Sequence, residues 1–133
     1  MAEKSEIWYL EEVDLFDILC SRKTPRMETE HPPNQYGKDE YIYFPDQEST
    51  SIYMIANGRV KIGSYLDDGK EIVKAILGKG EVFGELALAG ENRRSDFAQA
   101  MDADTRICSM DIEDLQEMMK DNQVLALKIF KII

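Results

Sequence analysis

In FGELALAGENRRSDFAQA, residues 83–100, a glycine, a carboxylate, two arginines and a serine stand close enough along the chain to meet. Gly84 lacks the Cβ that would keep a ligand off the backbone. The residues after it, Glu85-Leu86-Ala87-Leu88, read as one helical turn. Amides that open such a turn converge on one point and favour a phosphate there. Arg94, ten residues after Gly84, can return to that point and offer a charge-assisted, bidentate bond. Ser95 adds a hydroxyl and its own amide. Glu85 suits no bare phosphate, but it suits a sugar hydroxyl attached to one. The set describes a ribose-phosphate cradle. Taken singly, each member has a plainer role: an arginine pair is ordinary solvated charge, and Glu85 is a first-turn acid favoured by the helix dipole.

Other chemistries lack their residues. One histidine, His31, supports neither a multi-histidine metal site nor a Ser-His-Asp or Cys-His pair, and it lies in a proline-interrupted stretch. No enzyme is expected. Cys20 and Cys108 are far apart, without CxxC spacing, and read as free thiols of a reducing cytosol. The net charge of −10 would repel nucleic acid or an anionic membrane unless a basic patch intervened. The basic clusters are only Arg22-Lys23 with Arg26, and Arg93-Arg94. No run has the apolar length of a membrane span, and the acidic N-terminus is no signal peptide. A cytoplasmic chain follows.

The elements that must position the cradle can be read in order. Residues 6–20 alternate apolar and acidic faces at helical spacing, with Trp8 as an anchor. Residues 21–40, with three prolines, form an irregular connector. Strand signals then follow closely: YIYFP, SIYMI, RVKIGSYL, EIVKAIL, DFAQAM and TRICSM. Asn57-Gly58 between two of them predicts a hairpin, and Asp67-Asp68-Gly69-Lys70 a second one. Tyr41, Tyr43 and Tyr53 are expected on strand faces and in the core. Short strands ended by turns indicate an antiparallel sandwich or barrel. Asp111 can cap a helix IEDLQEMMK, whose Met118-Met119 pair packs inward. Asp121-Asn122 breaks it before QVLALKIFKII. There Leu125, Ile129, Ile132 and Ile133 make one apolar face, which packs on the barrel, pairs with a partner or belongs to a longer helix.

These residues resemble a known family. Gly-Glu-Leu-Ala-Leu, a short loop and Arg-Ser before an alternating strand are similar to the phosphate-binding cassette of cyclic-nucleotide-binding domains. The stretch from YIYFP through the Asn-Gly turn, DGKE and the LxxGxxFGE approach resembles the β-roll of Crp/Fnr bacterial regulators. The resemblance implies a mainly β, jelly-roll-like double-stranded β-helix with flanking helices. It would form a single domain over 1–133: an N-terminal helix at about 6–20, the β-roll at about 37–110 and helices at about 111–133.

It further implies a binding site of Gly84, Glu85, Leu86, Ala87, Arg94 and Ser95, with Glu85 on the ribose hydroxyl and Arg94 and Ser95 on the cyclic phosphate. The implied effector is cyclic AMP or a related cyclic nucleotide, with no cofactor required. The last helix would begin the long helix through which such regulators form homodimers. DNA would be reached only through a helix-turn-helix domain that these residues do not include. Asp96 departs from the pattern, which has a small residue there. On an extended segment Ser95 inward would place Asp96 outward. A ligand-free dimerisation domain with a degenerate cassette, or a regulatory domain of a larger kinase or channel, would carry the same motif.

Overall fold

The computed structural model describes residues 33–132. The helix expected at 6–20, Trp8, Cys20, the basic cluster at 22–26, His31 and Ile133 lie outside the described residues, as does the side chain of Ile132. Eight strands are described: β1 (Asn34–Tyr36), β2 (Tyr41–Tyr43), β3 (Ser51–Asn57), β4 (Val60–Tyr65), β5 (Glu71–Leu77), β6 (Val82–Phe83), β7 (Phe97–Ala100) and β8 (Thr105–Asp111). Two helices follow, α1 (Ile112–Lys120) and α2 (Gln123–Ile132). The strands form two antiparallel four-stranded sheets, ordered β1-β8-β3-β6 and β2-β7-β4-β5. The antiparallel sheets are those the strand spacing indicated, and their arrangement is the β-roll that the resemblance implied. β1 is an addition, because it falls inside the stretch expected to be an irregular connector. Pairing with β8, Gln35 opposite Arg106, makes a strand of residues with little strand propensity of their own.

The two turn signals have different outcomes. Asp67–Lys70 closes a true hairpin, with Tyr65 opposite Glu71 and the Leu66 N–H on the Lys70 carbonyl at 2.8 Å. Asn57-Gly58 does not. β3 pairs with β6 and β8, whereas β4 pairs with β5 and β7, so this turn is a corner between sheets. The corner is held from outside: Asn57 Nδ2 donates to the Asp104 carbonyl at 2.7 Å. Gly58, at φ 83°, lies so close to β8 that a Cβ would meet Thr105 Oγ1 at 2.8 Å. The sequence signal specified a sharp reversal; the long-range pairings decided what it joined.

β3 separates two cores through its pleat. Ile52 and Met54 face a cluster with Met110, Leu115, Leu125 and Ile129, so α1 and α2 pack against this sheet, and Met118 and Met119 pack at its margin. Ile55 faces the other cluster, with Tyr43, Val60, Phe83, Ala98 and Ile107. Leu125 and Ile129, half of the expected apolar face of α2, are thus consumed inside the chain. Leu127 and Phe130 remain exposed, Phe130 at 71%. Asn122 caps this helix, accepting the Leu125 N–H at 3.0 Å. Asp111 stands at the α1 N-cap position but makes no side-chain cap bond; its carboxylate accepts the Ser51 hydroxyl at 3.4 Å.

The free-thiol expectation fails for Cys108, which is buried in β8 and disulfide-bonded. Among the described residues no cysteine is free.

Candidate functional site

The segment between β6 and β7 carries the site. Val82-Phe83 ends at Gly84, whose left-handed φ of 76° turns the chain into a 3-10 helix, Glu85–Ala89. Gly90, also left-handed at φ 98°, stops it, and the Gly90 and Glu91 N–H groups both return to the Leu86 carbonyl. The chain then runs beside residues 46–49: Arg94 N–H donates to the Gln47 carbonyl and Asp46 N–H to the Arg94 carbonyl, each at 2.8 Å. Arg93 and Arg94 are thereby fixed pointing apart. Arg93 is exposed and donates to the Asp46 carbonyl at 2.7 Å, latching a residue that itself sits at φ 70°.

Arg94 is buried, 3% exposed. Its Nη1 donates to the Gly84 carbonyl at 3.0 Å and its Nη2 to the Ser51 carbonyl at 2.6 Å. Its guanidinium lies over the Tyr43 ring, 4.4 Å from the centroid, with Tyr53 at 5.6 Å. Such cation–π contacts gain strength away from water. Burial pushes the Tyr43 phenol up, with Glu85 and Glu91 adding to the shift and Arg94 opposing it. The Nε of Arg94 is buried without a hydrogen-bond partner.

Gly84 is required here for a reason the sequence did not disclose. A Cβ would strike Tyr53 Cδ2 at 2.9 Å and Arg94 Nη1 at 3.0 Å, so the close approach it permits is by the protein itself.

Beside this cluster opens a cavity of about 220 Å³. Its polar wall holds Glu85, Glu91, Arg94, Ser95 and Asp96; its apolar wall includes Tyr43, Ile62, Ala75, Leu77 and Val82. Of the six residues named from sequence, Gly84, Glu85, Leu86, Arg94 and Ser95 line it. Ala87 is not among the lining residues, and its N–H is committed to the Gly84 carbonyl at 3.3 Å, inside the turn. Residues 95–96 form a bend rather than a strand, so the alternation expected to turn Asp96 outward does not apply, and both residues border the cavity. Asp96 is neutralised by Lys74 of β5, with Nζ 2.7 Å from Oδ1.

Sequence reasoning missed Glu91. Its carboxylate accepts the Ser49 hydroxyl at 2.9 Å on Oε1 and the Ser95 hydroxyl at 3.3 Å on Oε2. Oε1 also lies 3.6 Å from Arg94 Nη1. Only its position, three residues before Arg94, hinted at this. Tyr43 and Tyr53 were expected as packing residues, and they also flank the buried arginine. Among the described residues no group of three or more His, Cys, Asp or Glu side chains could hold a metal. No described helix is long and apolar enough to cross a membrane.

The family model for the cyclic nucleotide-binding domain matches residues 33–122. The cyclic AMP receptor protein of Thermus thermophilus is 31% identical over 91 residues, 68% of this chain and 42% of its own length. The global nitrogen regulator of a Nostoc species is 28% identical over 93 residues, 69% of this chain and 42% of its own. The crystal structure of the Thermus thermophilus catabolite activator protein superposes with a TM-score of 0.68 at 28% identity, covering 74% of this chain and 46% of that one.

This chain belongs to the cyclic nucleotide-binding domain family, in its Crp/Fnr branch. It spans less than half the length of these relatives. In this domain the cavity falls between the 3-10 turn and the β4–β5 hairpin, with Arg94 beneath it. Of the curated relatives just named, one is a regulator by name and the other a receptor by name.

Proposed function

We propose that this domain is the effector-sensing part of a Crp/Fnr-type transcription regulator and binds a cyclic nucleotide, cyclic AMP first among them, without transforming it. One observation carries the reading: Gly84, Glu85, Leu86, Arg94 and Ser95, separated by up to eleven positions, line a single cavity. The cyclic phosphate would meet Ser95, the free edge of the Arg94 guanidinium and the amides opening the turn at Glu85 and Leu86. Glu85, half-buried and without a hydrogen-bond partner among the described residues, would accept the ribose hydroxyl. The apolar wall from β4 and β5 would receive the base. The relative named for cyclic AMP supports the choice of nucleotide. Binding would bias how the 84–96 loop and the helices after β8 pack, and so a homodimer formed through α2. DNA would be contacted by another part of the full regulator, in the cytoplasm. Isothermal titration of the chain with cyclic AMP and cyclic GMP tests the reading. Heat with a saturable thermal shift is expected; neither signal at millimolar nucleotide would overturn it.

The carboxylates favour a second reading, a ligand-free dimerisation domain. Glu85, Glu91 and Asp96 share the cavity with Arg94, and a bare anion would enter against them. That reading expects dimers with no nucleotide response.

A further inference from the structure

Both side chains assigned to the phosphate are turned toward one carboxylate. Ser95 donates to Glu91 Oε2, and Arg94 Nη1 stands 3.6 Å from Oε1. Ser49, from the adjoining loop, steadies Oε1 at 2.9 Å. The backbone aims Glu91 there: Gly90 ends the 3-10 helix in the left-handed region, and the Glu91 N–H is tied to the Leu86 carbonyl. The carboxylate is 14% exposed, at the cavity wall. A carboxylate and a phosphodiester each present two oxygens sharing one negative charge, so they ask for the same donors.

The hold on Glu91 is loose where it matters. A charge-assisted N–H···O bond closes to about 2.7–2.9 Å, and 3.6 Å is no such bond. Arg94 spends its short bonds on the Gly84 and Ser51 carbonyls, while its buried Nε has no partner. The arginine therefore keeps donor capacity that Glu91 does not use. Of the other carboxylates of the wall, Asp96 is paired with Lys74, and Glu85 stands in the first turn without a hydrogen-bond partner among the described residues.

We propose that Glu91 is an internal stand-in for the phosphate, a specificity-determining residue that holds the anion subsite until a ligand displaces it. The inference rests on the cyclic-nucleotide reading for the identity of the ligand, but not for the presence of an anion subsite. Displacement moves the Glu91 carboxylate off Arg94 and Ser95 toward solvent and frees both for the phosphate. Weak anions would be excluded, because they must compete with a tethered carboxylate at high effective concentration.

The test compares the unmodified chain with Glu91→Gln and Ser49→Ala, by titration with cyclic AMP and cyclic GMP. A parallel thermal-shift series uses inorganic phosphate against chloride at matched ionic strength. Glu91→Gln is expected to tighten nucleotide binding by about tenfold or more, since it removes a unit charge adjacent to the phosphate. Ser49→Ala, which changes no charge and only loosens Glu91, is expected to tighten it a few-fold. Glu91→Gln should also gain a phosphate-dependent rise in melting temperature that the unmodified chain lacks. If Glu91→Gln binds nucleotide no better, and phosphate shifts both proteins equally, the inference is overturned. If neither protein binds nucleotide but Glu91→Gln alone gains the phosphate shift, the inference stands and the nucleotide reading falls.

Discussion

Lys74 of the edge strand β5 closes on Asp96 at 2.7 Å, so the one residue that breaks the cassette pattern is charge-compensated by a neighbouring strand. Lys74 is half exposed and Asp96 less so, which makes the pair worth less than about 1 kcal/mol to the fold. Its effect on a bound anion is larger, because removing Lys74 bares a carboxylate at the cavity wall. Lys74→Ala is expected to weaken cyclic nucleotide binding severalfold while leaving the melting temperature nearly unchanged. The double variant Lys74→Ala/Asp96→Ala should recover the affinity. A titration cycle over the four proteins checks it, and equal affinities throughout would remove Asp96 from the site.

Arg94 carries structural bonds of its own. It bonds two backbone carbonyls, stacks on Tyr43 and is almost wholly buried. Arg94→Ala strips these contacts and leaves Glu91 without its neighbouring cation, so about 3 kcal/mol of stability should go, the range for breaking a buried charged cluster. Arg93→Ala, which loses one exposed bond to the Asp46 carbonyl, should cost about 1 kcal/mol or less. Urea denaturation midpoints separate the two. A binding defect in Arg94→Ala counts only where the protein is still folded.

Much of this was legible along the chain, and the limits have physical causes. The strands after Tyr41 alternate, so β2 to β5, β7 and β8 could be found locally. The Asn57-Gly58 signal could not say which strands it joined, because β3 and β4 each have better partners far away in sequence. β1 exists only through its pairing with β8. Five of the six residues expected at the site share a cavity because the motif encodes its own turn. Glu91 was invisible for the opposite reason: its meaning depends on Ser49, 42 positions away. Alternation could not place Asp96, because residues 95–96 form a bend and not a strand.

The last helix gives a contrast between neighbours. Ile129 is fully buried in the cluster with Ile52 and Leu115, whereas Phe130 is 71% exposed. Ile129→Ala should destabilise the fold by about 2–5 kcal/mol, through lost burial and the cavity left behind. Phe130→Glu should leave stability nearly unchanged but weaken self-association through the exposed Leu127–Phe130 side of α2. Sedimentation velocity over a concentration series, beside a denaturation curve, checks both. Dimers that persist in Phe130→Glu would place the interface elsewhere.

Tyr43 makes stability depend on alkaline pH. Burial holds its phenol well above the ordinary value of 10.0, although the Arg94 guanidinium over its ring pulls the other way. Between that ordinary value and the raised one, the folded chain keeps a proton that the unfolded chain has released. Stability must then fall as pH rises through this window, since the unfolded state binds fewer protons. Below about pH 10 the contribution is fully present. Tyr36, raised chiefly by its own burial, and Tyr65, pushed up to about 12 by its bond to Tyr41, act in the same direction. Tyr43→Phe keeps the ring against Arg94 and deletes only the titrating group. Its urea midpoint should decline less steeply than that of the unmodified chain from pH 9 to 11, roughly the range flanking a free phenol. Parallel declines would mean that the Tyr43 hydroxyl reaches solvent when it ionises, and that the wall beneath Arg94 is open.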